Sequence, residues 1–187
     1  MEITDQDLTR ADLEELLRTT TEPLTFTRCA LRGEDLRDLD LTEVTFEECA
    51  LDGALLQNAS LGGAVFTGCR MTGANLERTR GLGFELKRCN LFGANLIGAS
   101  LANVDLSGCR FTEAELRGTD LHGSTFDGCD LAGADLYDAN LRDADLRGAN
   151  LGPCELERLR VLKGAVITRD QAATIVAELT GCTVLDA

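Results

Sequence analysis

Eight cysteines, one histidine and 32 acidic side chains are the residues of this 187-residue chain with chemistry to offer. Thiolates and imidazole hold zinc when short spacings make them converge. Thiols form disulfides when their side chains are aimed at one another. The spacing argues for neither. Cys29, Cys49, Cys69, Cys89, Cys109 and Cys129 recur every twenty residues, and no CxxC pair occurs. Such regularity marks a structural repeat, in which free cysteine serves as a small buried hydrophobe. Parallel thiols stacked one per repeat are poorly aimed for oxidation. His122 falls at an outward position, so no metal, no cofactor and no catalytic site is expected.

The elements that position these thiols follow from a finer period of five. Stepping by five from Phe26 to Val161 gives 28 centres, of which 25 are Leu or Phe; Met71, Gly81 and Val161 are the others. Small residues stand two positions before the centre, as at Ala134, Ala139, Ala144 and Ala149. Glycine stands two positions after it at 14 of the 28 sites. A helix would show spacings of three and four, and a strand would alternate. Two inward residues in five, large then small, instead describe a chain that turns a corner after each unit, with glycine easing the turn. Four units close a square coil. Stacked at strand spacing of about 4.8 Å, seven coils make a rod of roughly 34 Å.

This pattern, cleanest in ADLYDANLRDADLRGANL from Ala134 to Leu151, resembles the pentapeptide-repeat family. The resemblance implies an all-β solenoid, a right-handed quadrilateral β-helix of about seven coils with short terminal helices. The expected organisation is a capping segment with a short helix over 1–23, the β-helix over 24–166 without insertion, and a C-terminal helix and strand over 167–187. Thr9 is expected to cap a helix near 10–18, with Leu8 and Leu13 as its staple. Thr168 and Gln171 read as a capping box, and Cys182 to Leu185 as a terminal strand. Glu34 and Leu39 break the rule in the first coil, where small inward residues belong. Gly81 leaves a centre without a side chain, and Phe84 is expected to fill that void.

The net charge of −14 argues against direct nucleic-acid binding, since phosphate contact requires clustered cations. No long apolar run indicates a membrane span, and unpaired thiols suit a reducing cytoplasm. The charge is uneven: residues 1–48 hold 14 acidic against 5 basic side chains, and residues 66–112 hold 3 against 6. The acid returns at Glu113, Glu115, Asp120, Asp127, Asp130, Asp135, Asp138, Asp143 and Asp145. Taken alone, such charge keeps a thin rod soluble; along a rigid rod it also imitates a phosphate backbone.

The tail VLKGAVITRDQAATIVAELTGCTVL is similar to the ending of the branch that protects or inhibits bacterial DNA gyrase, and GLGFELKRCNLFGANLIGA shows that branch's stumble in the repeat. The branch includes the plasmid quinolone-resistance proteins and the mycobacterial fluoroquinolone-resistance type. The resemblance implies a homodimer joined at the C-termini through Ala172, Ile175, Val176, Leu179, Val184 and Leu185. It also implies a DNA mimic that occupies the DNA-binding saddle of gyrase or topoisomerase IV, with the 113–147 acid as the contact. The unbroken register lacks the outward loops of the plasmid proteins and is closer to the mycobacterial type. The competing reading is a general interaction scaffold, with Leu82, Phe92 and Ile97 forming one docking patch on the fourth coil.

Overall fold

The computed structural model describes residues 1–185, the side chain of Glu157 excepted. Its element order is β1 (Glu2–Thr4), α1 (Arg10–Thr19), β2 (Thr25–Thr27), β3 (Thr45–Glu47), β4 (Val65–Thr67), β5 (Glu85–Lys87), α2 (Leu156–Val161) and α3 (Arg169–Thr180). The five strands form one parallel sheet in chain order. From β2 onward each pairs twenty residues on, Phe26 with Phe46 and Phe46 with Phe66. Isolated bridges carry the same interval around the other faces. The chain is therefore a right-handed quadrilateral β-helix.

Each of the four faces is a column of residues twenty apart. Face one holds β2 to β5, then Asp105, Thr125 and Asp145. Face two runs Ala30, Ala50, Arg70, Asn90, Arg110, Asp130, Asn150. Face three runs Asp35, Leu55, Asn75, Asn95, Glu115, Asp135, and face four Asp40, Ser60, Arg80, Ser100, Asp120, Asn140. The Leu and Phe centres fill the interior; Phe26, Phe46 and Phe66 stack with centroids 5.2 and 4.9 Å apart. Dispersion between close-packed side chains favours such repetition at one volume.

The six ladder cysteines are buried and free. Each of the later ones donates its S–H to the carbonyl of a centre on the coil below: Cys49 to Phe26 at 3.2 Å, Cys109 to Leu86 at 3.1 Å, Cys129 to Leu106 at 2.9 Å. Thr119 and Ser124 make the same bond to Leu96 and Leu101. The small inward position thus takes a donor as readily as alanine.

The ends depart from the expectation in three ways. Residues 1–23 are more than a cap, because β1 pairs with β2 as a first rung, Ile3 beside Phe26. Ile3 and Leu8 already stand five apart, and both are buried. The repeat also stops earlier than the phase of centres implies. Leu151 is buried, but Leu156 is 72 % exposed and lies in α2. The chain then rejoins the stack out of step, Val166 on Asp145, an interval of 21. Pro153 and the helix absorb the extra residue, so the register does slip once. Finally, residues 181–185 form no strand. A strand requires a bonded neighbour, and among the described residues these form no β-bridge.

Thr9 and Asp12 close a capping box on α1, and Thr168 and Gln171 one on α3. Leu8 and Leu13 are both buried. Glu34 is explained by α1: its Oε2 accepts the backbone N–H of Arg10 at 2.8 Å. At the other end, Gln171 Nε2 donates to the carbonyls of Leu146 and Ala149 at 2.8 and 2.9 Å. Each helix therefore closes an open coil by spending polar groups on its exposed edge.

Candidate interaction surface

The corners govern where charge stands. The residue two after each centre has positive φ around the rod, from +53° at Arg28 to +80° at Gly148. The residue before the centre builds the turn when it is Asp or Asn. Its side chain accepts the N–H two residues on, as Asp130 does from Ala132 at 3.1 Å and Asp135 from Tyr137 at 3.0 Å. Asp120 and Asp145 do the same with His122 and Arg147. These four carboxylates are partly spent on architecture.

They are also partnered sideways. Asp135 takes Arg117 Nε at 2.5 Å, and Asp145 takes Arg147 Nη2 at 2.6 Å. Asp120 and Asp130 accept the amides of Asn140 and Asn150, both at 2.9 Å. The Arg147 guanidinium holds the Asp145 carboxyl at a pKa of about 2. The N–H of Ala132 lowers that of Asp130.

The other five differ. Glu113, Glu115, Asp127 and Asp138 make no side-chain hydrogen bond or ion pair among the described residues. Asp143 comes within 3.9 Å of His122 Nδ1. Glu113, Asp138 and Asp143 occupy left-handed corners, φ +59°, +56° and +59°. Three further acids, Asp38, Glu43 and Glu48, occupy the same kind of corner near the front. Their signal in the sequence is an acid two positions after the centre, where glycine is the rule.

The structure does not gather the nine acids on one side. Asp145 lies on face one, Asp130 on face two, Glu115 and Asp135 on face three, and Asp120 on face four. Glu113, Asp138 and Asp143 stand at the corners between. Less than two coils of chain carries them, so they form a belt around the rod.

Leu82, Phe92 and Ile97 do not form one patch. Leu82 and Phe92 are ten residues apart, half a coil, and so face opposite ways. Leu82 is 88 % exposed, whereas Phe92 carries the Arg110 guanidinium 5.0 Å from its ring centroid. At the far end, Ile175 is buried and Ala172 and Leu179 are half-buried, while Val176, Val184 and Leu185 are exposed. Part of the expected pairing face is thus occupied in covering the chain's own last coil.

Among the described residues no cluster of His, Cys, Asp and Glu could hold a metal ion, and no helix is long and apolar enough to cross a membrane.

The family described as Pentapeptide repeat region matches residues 19–96, and that described as Pentapeptide repeats matches residues 89–128 and 114–152. Together they span residues 19–152, well over half of the chain. This chain is a pentapeptide-repeat protein. No curated protein matches it by sequence. Among solved structures, this pentapeptide-repeat protein is similar to trypsin-treated QnrB1, a plasmid-mediated fluoroquinolone resistance protein. The TM-score is 0.63 at 19% identity, with 99% of this chain and 98% of that one covered. A pentapeptide-repeat protein of the Arabidopsis thaliana thylakoid lumen matches with TM-score 0.44 and 23% identity, covering 70% of this chain and 75% of that one. At 19% identity the likeness to QnrB1 concerns the fold.

Proposed function

We propose that this pentapeptide-repeat protein is a DNA-mimicking ligand of a type II topoisomerase, DNA gyrase or topoisomerase IV, acting in the cytoplasm without cofactor or catalysis. In this reading it modulates the enzyme and confers resistance to topoisomerase poisons such as fluoroquinolones. The carrying observation is the placement of carboxylates at left-handed corners. A side chain there costs roughly 1–2 kcal/mol relative to glycine, somewhat less for Asp. Half the corner sites show that glycine was available. Strain kept at a particular site is a pointer to use rather than to folding. These corner carboxylates stand exposed on the outside of the rod, as phosphates do on duplex DNA. A basic enzyme channel would meet them by charge complementarity, and binding would weaken with salt. Pairing of two copies through Val176, Val184 and Leu185 would double the rod to roughly 70 Å at sheet spacing.

The test is gyrase supercoiling and drug-induced cleavage with added protein, with and without a fluoroquinolone. The proposal predicts altered supercoiling or cleavage that the triple variant Glu113→Gly, Asp138→Gly, Asp143→Gly no longer produces. Absence of any effect, and of gyrase binding at micromolar protein, rules it out.

The Arg110–Phe92 stack favours one second reading, a scaffold that docks an unrelated protein through the Phe92 and Ile97 corners. Binding lost with Phe92→Ala and Ile97→Ala, but kept in the corner triple, would select it.

A further inference from the structure

We propose that the rod contains a built-in flexure, a seam where the turn 81–86 meets the turn 100–105 stacked on it. On neighbouring coils the inter-coil backbone bonds of this face are regular. Below the seam, Leu61 N donates to Arg80 O at 2.7 Å and Gly63 N to Leu82 O at 3.0 Å. Above it, Leu101 N donates to Asp120 O at 2.8 Å, Leu106 N to Thr125 O at 3.0 Å, and Thr125 N to Val104 O at 3.1 Å. At the seam the equivalent bonds are absent among the described residues: Gly81 N to Ser100 O, Gly83 N to Ala102 O, Leu86 N to Asp105 O and Asp105 N to Phe84 O. The bridges Arg80–Ser100 and Glu85–Asp105 are absent with them. The ladder resumes at once on either side, through Ser100 N to Thr79 O at 3.1 Å and Arg88 N to Ser107 O at 2.9 Å. Faces two and three stay zipped, through Asn90–Arg110 and Asn95–Glu115.

The cause lies in residues on both sides of the gap. Gly81 has φ +153°, and a Cβ there would lie 2.4 Å from Gly62 N. The chain at Gly81 is thus drawn down onto the coil beneath and away from the coil above. Below the seam face one stacks as three-residue strands, up to β5; above it the face continues as the single bridges of Asp105, Thr125 and Asp145. Two differently shaped stacks meet there. Backbone donors without protein partners must be met by water, so the seam is wet while the interior Phe84, Leu86 and Leu106 remain buried. Across its outer lip, Lys87 Nζ contacts Glu85 at 2.8 Å and Asp105 at 3.1 Å. The half-rods on either side hinge on faces two and three, and Lys87 limits the opening. The flexure lets a stiff rod follow a curved partner, whatever that partner is.

Residue-resolved hydrogen exchange on the full-length protein and on Lys87→Ala tests this. In the wild type the Gly81, Gly83, Leu86 and Asp105 amides should exchange on the order of a hundred-fold faster than those of Leu61, Gly63, Leu101 and Leu106. In Lys87→Ala the flanking bonded amides of Ser100 and Arg88 should accelerate on the order of ten-fold, while Asn90 and Asn95 keep their protection and so report an intact fold. Equal protection of the seam amides and their counterparts overturns the proposal. So does a fast seam whose flanks Lys87→Ala leaves unchanged, because that is a fixed notch and not a hinge.

Discussion

Glu34 Oε2 accepts the backbone N–H of Arg10, the first residue of α1, at 2.8 Å. A first-turn amide has no partner within its own helix, and the helix N-terminus favours a negative charge. The acid that breaks the pentad rule therefore joins the cap to the solenoid. Arg10 strengthens the joint by donating Nη1 to the Asp35 carbonyl at 2.6 Å. Glu34→Ala is expected to lower stability by about 1 kcal/mol, and Glu34→Gln by less. Urea unfolding reads this as a shifted midpoint at constant slope; an unshifted Glu34→Ala midpoint would remove the capping role.

The corner acids carry an opposite expectation. Glu113→Gly should leave stability unchanged or raise it by up to about 1 kcal/mol, because relief of the left-handed conformation outweighs the entropy of a freer unfolded chain. Thermal unfolding of Glu113→Gly against Glu113→Ala separates backbone from charge. The alanine variant should gain nothing, since it keeps a Cβ at φ +59°. A clear loss in the glycine variant would mean that the carboxylate serves the fold.

Gly81 admits no side chain. Gly81→Ala would place its Cβ 2.4 Å from Gly62 N and 2.5 Å from Leu61 C, both backbone atoms that cannot swing aside. A loss of about 2 kcal/mol or more is expected in denaturant titration, overpacking adding to backbone strain. A tolerated alanine would show that the coil at 81–83 relaxes freely.

The thiols should divide sharply. Burial pushes the Cys129 thiol up to about 12, and a hydrogen bond to Cys109 together with burial does the same for Cys89. Only thiolate reacts, so the native protein should label promptly at the exposed Cys182 and only slowly at the seven buried cysteines. Mass spectrometry after brief alkylation checks this; full labelling under native conditions would contradict the buried ladder.

The Asp145–Arg147 pair sets an acid limit. The folded carboxyl titrates at about 2, below the unfolded value of roughly 3.9. A depressed folded pKa contributes stability above the unfolded pKa, and that contribution fades as pH falls from about 4 toward 2. Asp145→Asn retains the turn acceptor, as Asn150 does toward Gly152 at 3.0 Å, but cannot titrate. It should be less stable at neutral pH by no more than about 1 kcal/mol, the pair being solvent-screened. The difference from wild type should vanish near pH 2, as acid titration by circular dichroism would reveal.

The pentad was legible because it is a local rule. Leu at the centre, a small residue before it and a corner after it need no distant partner to be read, and register follows from identical units stacking. Thr9 and Gln171 were legible for the same reason, since capping depends on spacing within one turn. The sites were harder. The acids at 113–147 form one run in sequence, yet the coil wraps them into a belt, and four of the nine prove to be turn builders. Leu82 and Phe92 are close along the chain but face apart, because ten residues is half a revolution.

By itself the sequence determined the repeat, the buried ladder, the charge and the capped helices, all consequences of short-range chemistry repeated in phase. Only the tertiary structure decided the first rung at Ile3, the one-residue slip before Val166, the partner of Glu34 and the open seam at Gly81. Each of these depends on which surface is left uncovered when one coil lies on another. That contact joins residues twenty or more positions apart, where no local pattern records it.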